Sequence, residues 1–420
     1  MIARLIYGRK RRDRWWRYHV LRAAFIQAQV GGREEQSLSR AFRRLGHGRI
    51  PTELVSFWCN LVGLGASRKS SLQPDDLSLL EKSAGELSPS LASGICWLDL
   101  FRLCIGIGFF QLARILRSKG LDRMQADGDA GNATLEQVTA ACYADIEAED
   151  YTGARTRLRR MEAMGRTGKR LAHADWFITL MAAESDCDSR GIEQLLSDND
   201  REFGALIRGQ RVALVGPVPS KIAQGAEIDE HDVVVKFGYR GGDKGRDPET
   251  QGARLDVSYY NNSQAKLLAE SNYDEVFASI RWAVCNNRKG LSHFPEDYPG
   301  LRLVASLQWL LPDTHLNAGP NALLDLLRFE PSGIKVFNTD MMLSSGRFAG
   351  YFPDGAKSID HTRSFIKTHD PILQYQLMHR LWVCGHIEGD ERFEEVMEMG
   401  LVGYLNELQK AYGANTRALV

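Results

Sequence analysis

RVALVGPVPSKIAQGAEIDEHDVVVKFGYRGGDKGRDPETQGARLDVSYYNN, residues 211–262, is the stretch whose reading decides the fold. It opens with the apolar run VALV at 212–215, which stops abruptly at Gly216-Pro217. An apolar run bounded by turn residues reads as a buried strand of a parallel sheet. A polar segment with Ser220 and Gly225 follows, and IDEHD then leads into a second apolar run, Val233–Phe237. Strand, tight turn, connector and second strand form the opening unit of an α/β sheet, whose ligands sit at the carboxyl ends of its strands. Taken alone, the stretch predicts a nucleotide-type site near Gly216.

Downstream the texture alternates between strand and helix. Strands are expected at 256–260, 275–279, 301–306 and 335–338, with a helix at 320–329 and a helical ending over 371–404. That order fits a Rossmann-like, doubly wound α/β domain. Upstream, residues 37–198 read as helical throughout. Leu135, Val138, Cys142 and Ile146 share one helical face, and Ala154, Leu158 and Met161 share another. A third helix is expected at 171–183, and no clean repeat period emerges. The apolar stretch 97–116 carries Asp99, Arg102 and Arg114, so it reads as one buried helix rather than a membrane span.

At 420 residues the chain exceeds one ordinary core. The polar segment SDCDSRGIEQLLSDNDR marks a boundary, giving a helical N-terminal domain over 1–198 and an α/β domain over 199–420. Apolar content of 44% and charged content of 25% are those of a globular protein, not a disordered or fibrous one. The seven cysteines are scattered without a CxxC pair, which points to reduced thiols in a cytoplasm and to no zinc site.

Net charge is zero, yet residues 4–30 gather Arg4, Arg9, Lys10, Arg11, Arg12, Arg14, Arg17 and Arg22 among Trp15, Trp16, Tyr18 and Phe25. Such a basic start is no cleavable signal peptide. It suits a helix lying on an anionic membrane surface. A structural helix whose tryptophans pack on their own domain reads equally well, and nucleic acid is not an expected partner. The expected location is cytoplasmic, with peripheral attachment at the inner membrane face if the first reading holds.

Three segments of the α/β part carry unusual residue choices in a fixed order. They are VALVGPVPS with EIDEHDVVVKFG, then LNAGPNALLDLLRFEPSGIKVFNTD (316–340), then HTRSFIKTHDPILQ (361–374). Together these resemble the sialyltransferases that carry large, small and very small sialylmotifs. Val215-Gly216, Ile228-Asp229, His231-Asp232 and the run ending in Lys236 match the large motif's frame. Leu316-Asn317-Ala318-Gly319, with the helix and strand after it, echoes the small motif. His369, with Gln374 in the place of a glutamate, matches the very small one. The likeness covers roughly residues 210–381.

What the resemblance implies is a Rossmann-like variant of the GT-A architecture, a CMP-activated acidic sugar donor such as CMP-Kdo or CMP-sialic acid, a glycan acceptor, and no metal or other cofactor. His369 becomes the expected base and His361 a candidate for the family's third motif, although it lies nearer to His369 than that motif usually does. Gly216, Pro217, Val218, Ser220, Lys236, Asn317, Ala318, Gly319 and Asn338 become the expected donor site. The residue types agree: a histidine suits acceptor deprotonation. Backbone amides after Gly216 and around Asn317-Ala318-Gly319-Pro320 suit a leaving phosphate. His231 reads as structural, tying the turn before the second strand.

Some positions depart from the family. Its two nucleotide-contacting asparagines are Pro217 and Gly238 here, and its bridging cysteines fall at Val212 and Glu330. These departures leave a second reading, a catalytically silent scaffold that keeps a nucleotide-shaped pocket and binds a partner through its helices.

Overall fold

The computed structural model describes residues 13–67, 74–184, 196–241, 246–270, 273–294, 299–348, 351 and 361–413. Seven parallel strands form one sheet: β1 (Arg211–Val215), β2 (Val233–Phe237), β3 (Val257–Tyr260), β4 (Trp282–Cys285), β5 (Leu301–Leu303), β6 (Gly333–Phe337) and β7 (Glu388–Gly389). Their order is β5-β4-β3-β2-β1-β6-β7. The central strands are largely apolar because helices cover both faces of a parallel sheet. Every residue of β2, β3 and β4 is buried.

From β1 the chain steps outward to β5, then returns to place β6 on the other side of β1. This reversal opens a crevice at the carboxyl ends of β1 and β6, the usual ligand position in such sheets. Gly216 and Asn338 are the first residues beyond those two strand ends.

Two expected elements differ. Residues 275–279 belong to a helix, Tyr273–Ser279, and the strand in this region is Trp282–Cys285. WAVC is the apolar run that a strand between β3 and β5 requires. The stretch 97–116 is two helices, Gly94–Ile107 and Phe110–Asp129. The break falls at Gly108, whose φ of 81° ends the first helix in the left-handed region that glycine adopts without strain.

The helices from Arg14–Gly31 to Lys169–Ala182 precede the sheet, and helix Asp198–Ile207 begins where the boundary was expected. The apolar core nevertheless runs without interruption from Tyr18 and Phe25, through Trp97 and Phe110, to Val212, Tyr375 and Tyr404. The helical part therefore shares a core with the α/β part. Among the described residues no helix is long and apolar enough to cross a membrane.

In the basic N-terminal stretch, residues 4–12 lie outside the described residues. The rest is mostly internal. Tyr18 and Phe25 are buried, Trp15 and Trp16 pack against the core, and Arg17 is buried in ion pairs. The described part of this segment thus matches the structural-helix reading.

Beneath the sheet, Arg302 of β5 is held between Asp325 and Asp200, and the Tyr259 hydroxyl donates to Asp325 at 2.7 Å. Asp325 lies on helix Ala318–Leu327, so this group fixes that helix against β3 and β5. Removing one member of a buried ionic group leaves the others uncompensated. Asp325→Ala is expected to destabilise the protein by about 3–5 kcal/mol, read from the shift of the urea unfolding midpoint. A change below about 1 kcal/mol would show that the group does not anchor the helix.

Candidate functional site

The crevice is built by the loop after β6. Asn338, Met341 and Met342 have φ of 53°, 51° and 70°, a left-handed backbone that is costly for such residues and persists only where the surroundings enforce it. The Asn338 amide N–H donates to Asp390 at 2.7 Å, its Oδ1 accepts from Gln224, and its Nδ2 donates to the Thr250 carbonyl. Tyr404 and Tyr412 donate hydroxyl hydrogen bonds to the carbonyls of Met341 and Met342, each at 2.8 Å. Asp340 accepts from the amides of Met342 and Ser344.

Several residues expected to hold a donor serve this frame instead. The Gly216 amide donates to the Phe337 carbonyl and the Val218 amide to the Asn338 carbonyl, while Pro217 has no N–H and accepts from Phe348. The amides of Gly216 and Val218 are thus engaged within the protein. Gly216 is required because a Cβ there would lie 2.3 Å from the Asn338 carbonyl oxygen. Asn338 is fully engaged, Ser220 accepts from the Ile222 amide, and buried Lys236 donates to the Gly252 carbonyl at 2.6 Å. His231 ties Nδ1 to the Glu227 carbonyl in the turn before β2, as its structural reading anticipates.

Gly238 explains one departure from the family pattern. Its φ is 61°, and a Cβ would lie 2.4 Å from Nε2 of Gln264. That amide in turn donates to the Tyr351 hydroxyl at 2.8 Å. Gln264 and Tyr351 occupy the space into which a longer side chain would reach.

The remaining expected residues converge. Segment 313–317 lies against segment 368–374, and hydrogen bonds join them along their length. The His315 amide and the Thr314 hydroxyl donate to the Thr368 carbonyl, and the Asp370 amide donates to the Thr314 hydroxyl. The His315 carbonyl accepts from Nδ1 of His369 at 2.9 Å and from Nε2 of Gln374 at 3.0 Å. Oε1 of Gln374 accepts from the Asn317 amide at 2.9 Å. Gln374 is fully buried, and its amide both donates and accepts, which an ionised carboxylate cannot do. Two sequence motifs more than fifty residues apart thus meet within two hydrogen bonds.

Because Nδ1 of His369 faces a carbonyl, it carries the proton, and in the neutral ring Nε2 keeps its lone pair. No described residue partners Nε2. Burial pulls the His369 pKa down to about 4, and nearby His315 and Arg14 add to that effect against the hydrogen bond. The ring is therefore neutral at physiological pH, the state a general base needs.

Asn317 precedes helix Ala318–Leu327 but does not cap it; its Nδ2 points to the Met342 sulfur at 3.1 Å. The amides of Ala318 and Gly319 have no partner among the described residues, and the space beside Gly319 is open. Free amides at a helix N-terminus favour an anion.

Arginines complete the positive character. Arg246 donates to the Phe237 carbonyl and lies over the rings of Tyr239 and Phe348. Arg347 reaches Nε2 of His361 at 3.2 Å. Among the described residues neither guanidinium has a carboxylate within ion-pair distance, and burial lowers the pKa of both. Tyr351 lies close enough to Arg240, Arg246 and Arg347 to feel all three charges. Desolvated cations without carboxylate partners call for an anion. Sequence reading missed them; the available signal was the arginine-flanked, glycine-rich segment RGGDKGR directly after β2.

His361 sits beside this cluster rather than beside His369. It is buried, stacked on Phe365 and bound at Nε2 to the Ser344 carbonyl region and to Arg347. Its ring supports the loop after β6.

No family model matches this chain, and no curated protein matches it.

The geometry predicts that His369 titrates near pH 4 and stays in its Nδ1–H tautomer above that, measurable by ring-nitrogen NMR. Titration at its ordinary value of 6.5 would contradict the buried, hydrogen-bonded arrangement. A histidine with a depressed folded-state value binds its proton more readily when unfolded. Its contribution to stability is thus present above pH 6.5 and is lost as pH falls toward 4.

Proposed function

We propose that this chain is an inverting, metal-independent glycosyltransferase that moves an acidic 2-keto sugar, Kdo or sialic acid, from a CMP donor to a glycan hydroxyl in surface polysaccharide synthesis. The observation that carries this reading is the neutral His369 ring, linked through the His315 carbonyl and Gln374 to the open N-terminus of helix Ala318–Leu327.

In the proposed reaction Nε2 of His369 takes the proton of the acceptor hydroxyl. The acceptor oxygen attacks the anomeric carbon while the bond from that carbon to the phosphate oxygen breaks. The electron pair leaves with CMP, and the amides of Ala318 and Gly319 meet the added charge. The His315 carbonyl stabilises the imidazolium through Nδ1–H. Arg246 and Arg347 suit the carboxylate of the sugar. The arrangement also explains Gln374 in place of a glutamate, because a carboxylate could not donate to the His315 carbonyl.

The silent-scaffold reading draws on one specific observation: the turn after β1 has its amides engaged, and the space around Gly216, Lys236 and Phe348 is closely packed. Calorimetry with CMP, CDP, UDP and NAD separates the two. Binding of CMP supports the transferase, binding of none supports the scaffold, and preference for UDP overturns the CMP donor.

His369→Ala is expected to lower turnover with CMP-Kdo or CMP-sialic acid by about 10²–10⁴-fold while CMP binding and the fold are retained. Near-normal turnover would remove His369 from the mechanism. Gln374→Glu places a charge against the His315 carbonyl and is expected to reduce turnover by about tenfold or more, with a raised His369 pKa. Unchanged turnover and titration would show that the amide does not position the ring.

A further inference from the structure

Where the helical part meets helix Pro371–Val383 the protein has a pocket of about 250 Å³ that opens to solvent. Its wall is apolar, with Ile146, Phe177, Met181, Leu324 and Leu377 among the lining residues. Native interiors are close-packed, and an apolar space of this size takes up apolar guests. The mouth carries an apolar residue as well: Val383 lines the cavity and is 56% exposed.

The polar groups at this cavity specify more. Gln376 lines the cavity, and its buried Oε1 has no hydrogen-bond partner among the described residues, a cost relieved if the amide turns toward a ligand's donor. The charged groups are already matched: Arg380 pairs with Glu149 at 3.0 Å, and Glu147 receives Arg117. A charged head group would displace one of these pairs, whereas a hydroxylated one would not. Leu316 and Leu373 line the cavity and directly precede Asn317 and Gln374, so its wall is continuous with the His369 clamp.

We infer that this cavity binds the apolar chain of a single-chain amphiphile whose head group is uncharged and carries hydroxyls. The binding claim stands apart from the proposed activity; if that activity holds, the chain is the aglycone of the acceptor, and this part alone rests on the transferase reading.

The probe is decyl β-D-glucoside, titrated below its micelle-forming concentration into the full chain and followed by calorimetry. Saturable binding is expected, with none for glucose. It should weaken by about tenfold or more in Val383→Trp, which plugs the mouth from the surface, and in Met181→Trp, which fills the interior. Each variant's thermal unfolding is recorded, and a variant that fails to unfold cooperatively is replaced in the comparison by the other. Absence of saturable binding to the native chain, equal binding by a folded variant, or equally tight binding of decanoate would overturn the inference. CMP binding is measured in the same samples. Loss of glucoside binding with CMP binding intact in the variants separates this site from the donor site, so failure of either claim is distinguishable from failure of the other.

Discussion

Two carboxylates, partly buried Asp313 and buried Asp370, hold together the segments that carry His315 and His369. Asp313 accepts from Arg17 at 2.5 Å and from Arg102 at 2.7 Å, and Asp370 accepts from Arg117. All three arginines belong to the helical part. Buried carboxylates this close to an apolar core persist only with such partners. Asp370 also caps helix Pro371–Val383 through the amides of Ile372 and Leu373, which aims the helix that carries Gln374. Asp99 extends the group by accepting from Arg17 and Arg102 and by contacting His47. The helices before the sheet are thus the back wall of the site, which explains why one apolar core crosses the boundary between the two parts.

Much of this was legible in the sequence because it is local. The runs at 212–215 and 233–235 are apolar because parallel strands bury both faces, and they appear within strands. The loop-to-helix start at Asp370 is also a local signal and appears where expected, while the helix expected at 320–329 starts two residues earlier, at Ala318. Less legible were features that depend on contacts between distant residues. Residues 275–279 and 282–285 are both apolar-rich, and only the sheet's need for a two-faced strand separates them. The fate of the amides after Gly216 depended on how closely β6 approaches β1, a distance that no local pattern encodes. The charges of Arg246 and Arg347 stand out because, among the described residues, no carboxylate pairs with either, and pairing is a property of the fold.

The departures from the sialyltransferase pattern acquire physical reasons. Gly238 is demanded by a left-handed backbone and by the Gln264 amide beside it. Gln374 is demanded by the need to accept from one amide and donate to one carbonyl. The proposed anion site accordingly lies not at the turn after β1 but at the amides of Ala318 and Gly319, which have no partner among the described residues, and at the guanidinium groups around Tyr351. In the N-terminal helix the same logic turns a basic segment inward, since Arg17 serves Asp99 and Asp313 and Arg14 lies near Asp313.

The central claim is that a donor phosphate docks on the amides of Ala318 and Gly319, within reach of a neutral His369. Glycine-selective ¹⁵N labelling with addition of CMP tests it most directly. The account predicts that the Gly319 amide resonance moves with CMP concentration, while Gly216, whose amide is bound to Phe337, moves far less. Saturable CMP binding that leaves Gly319 in place would contradict it.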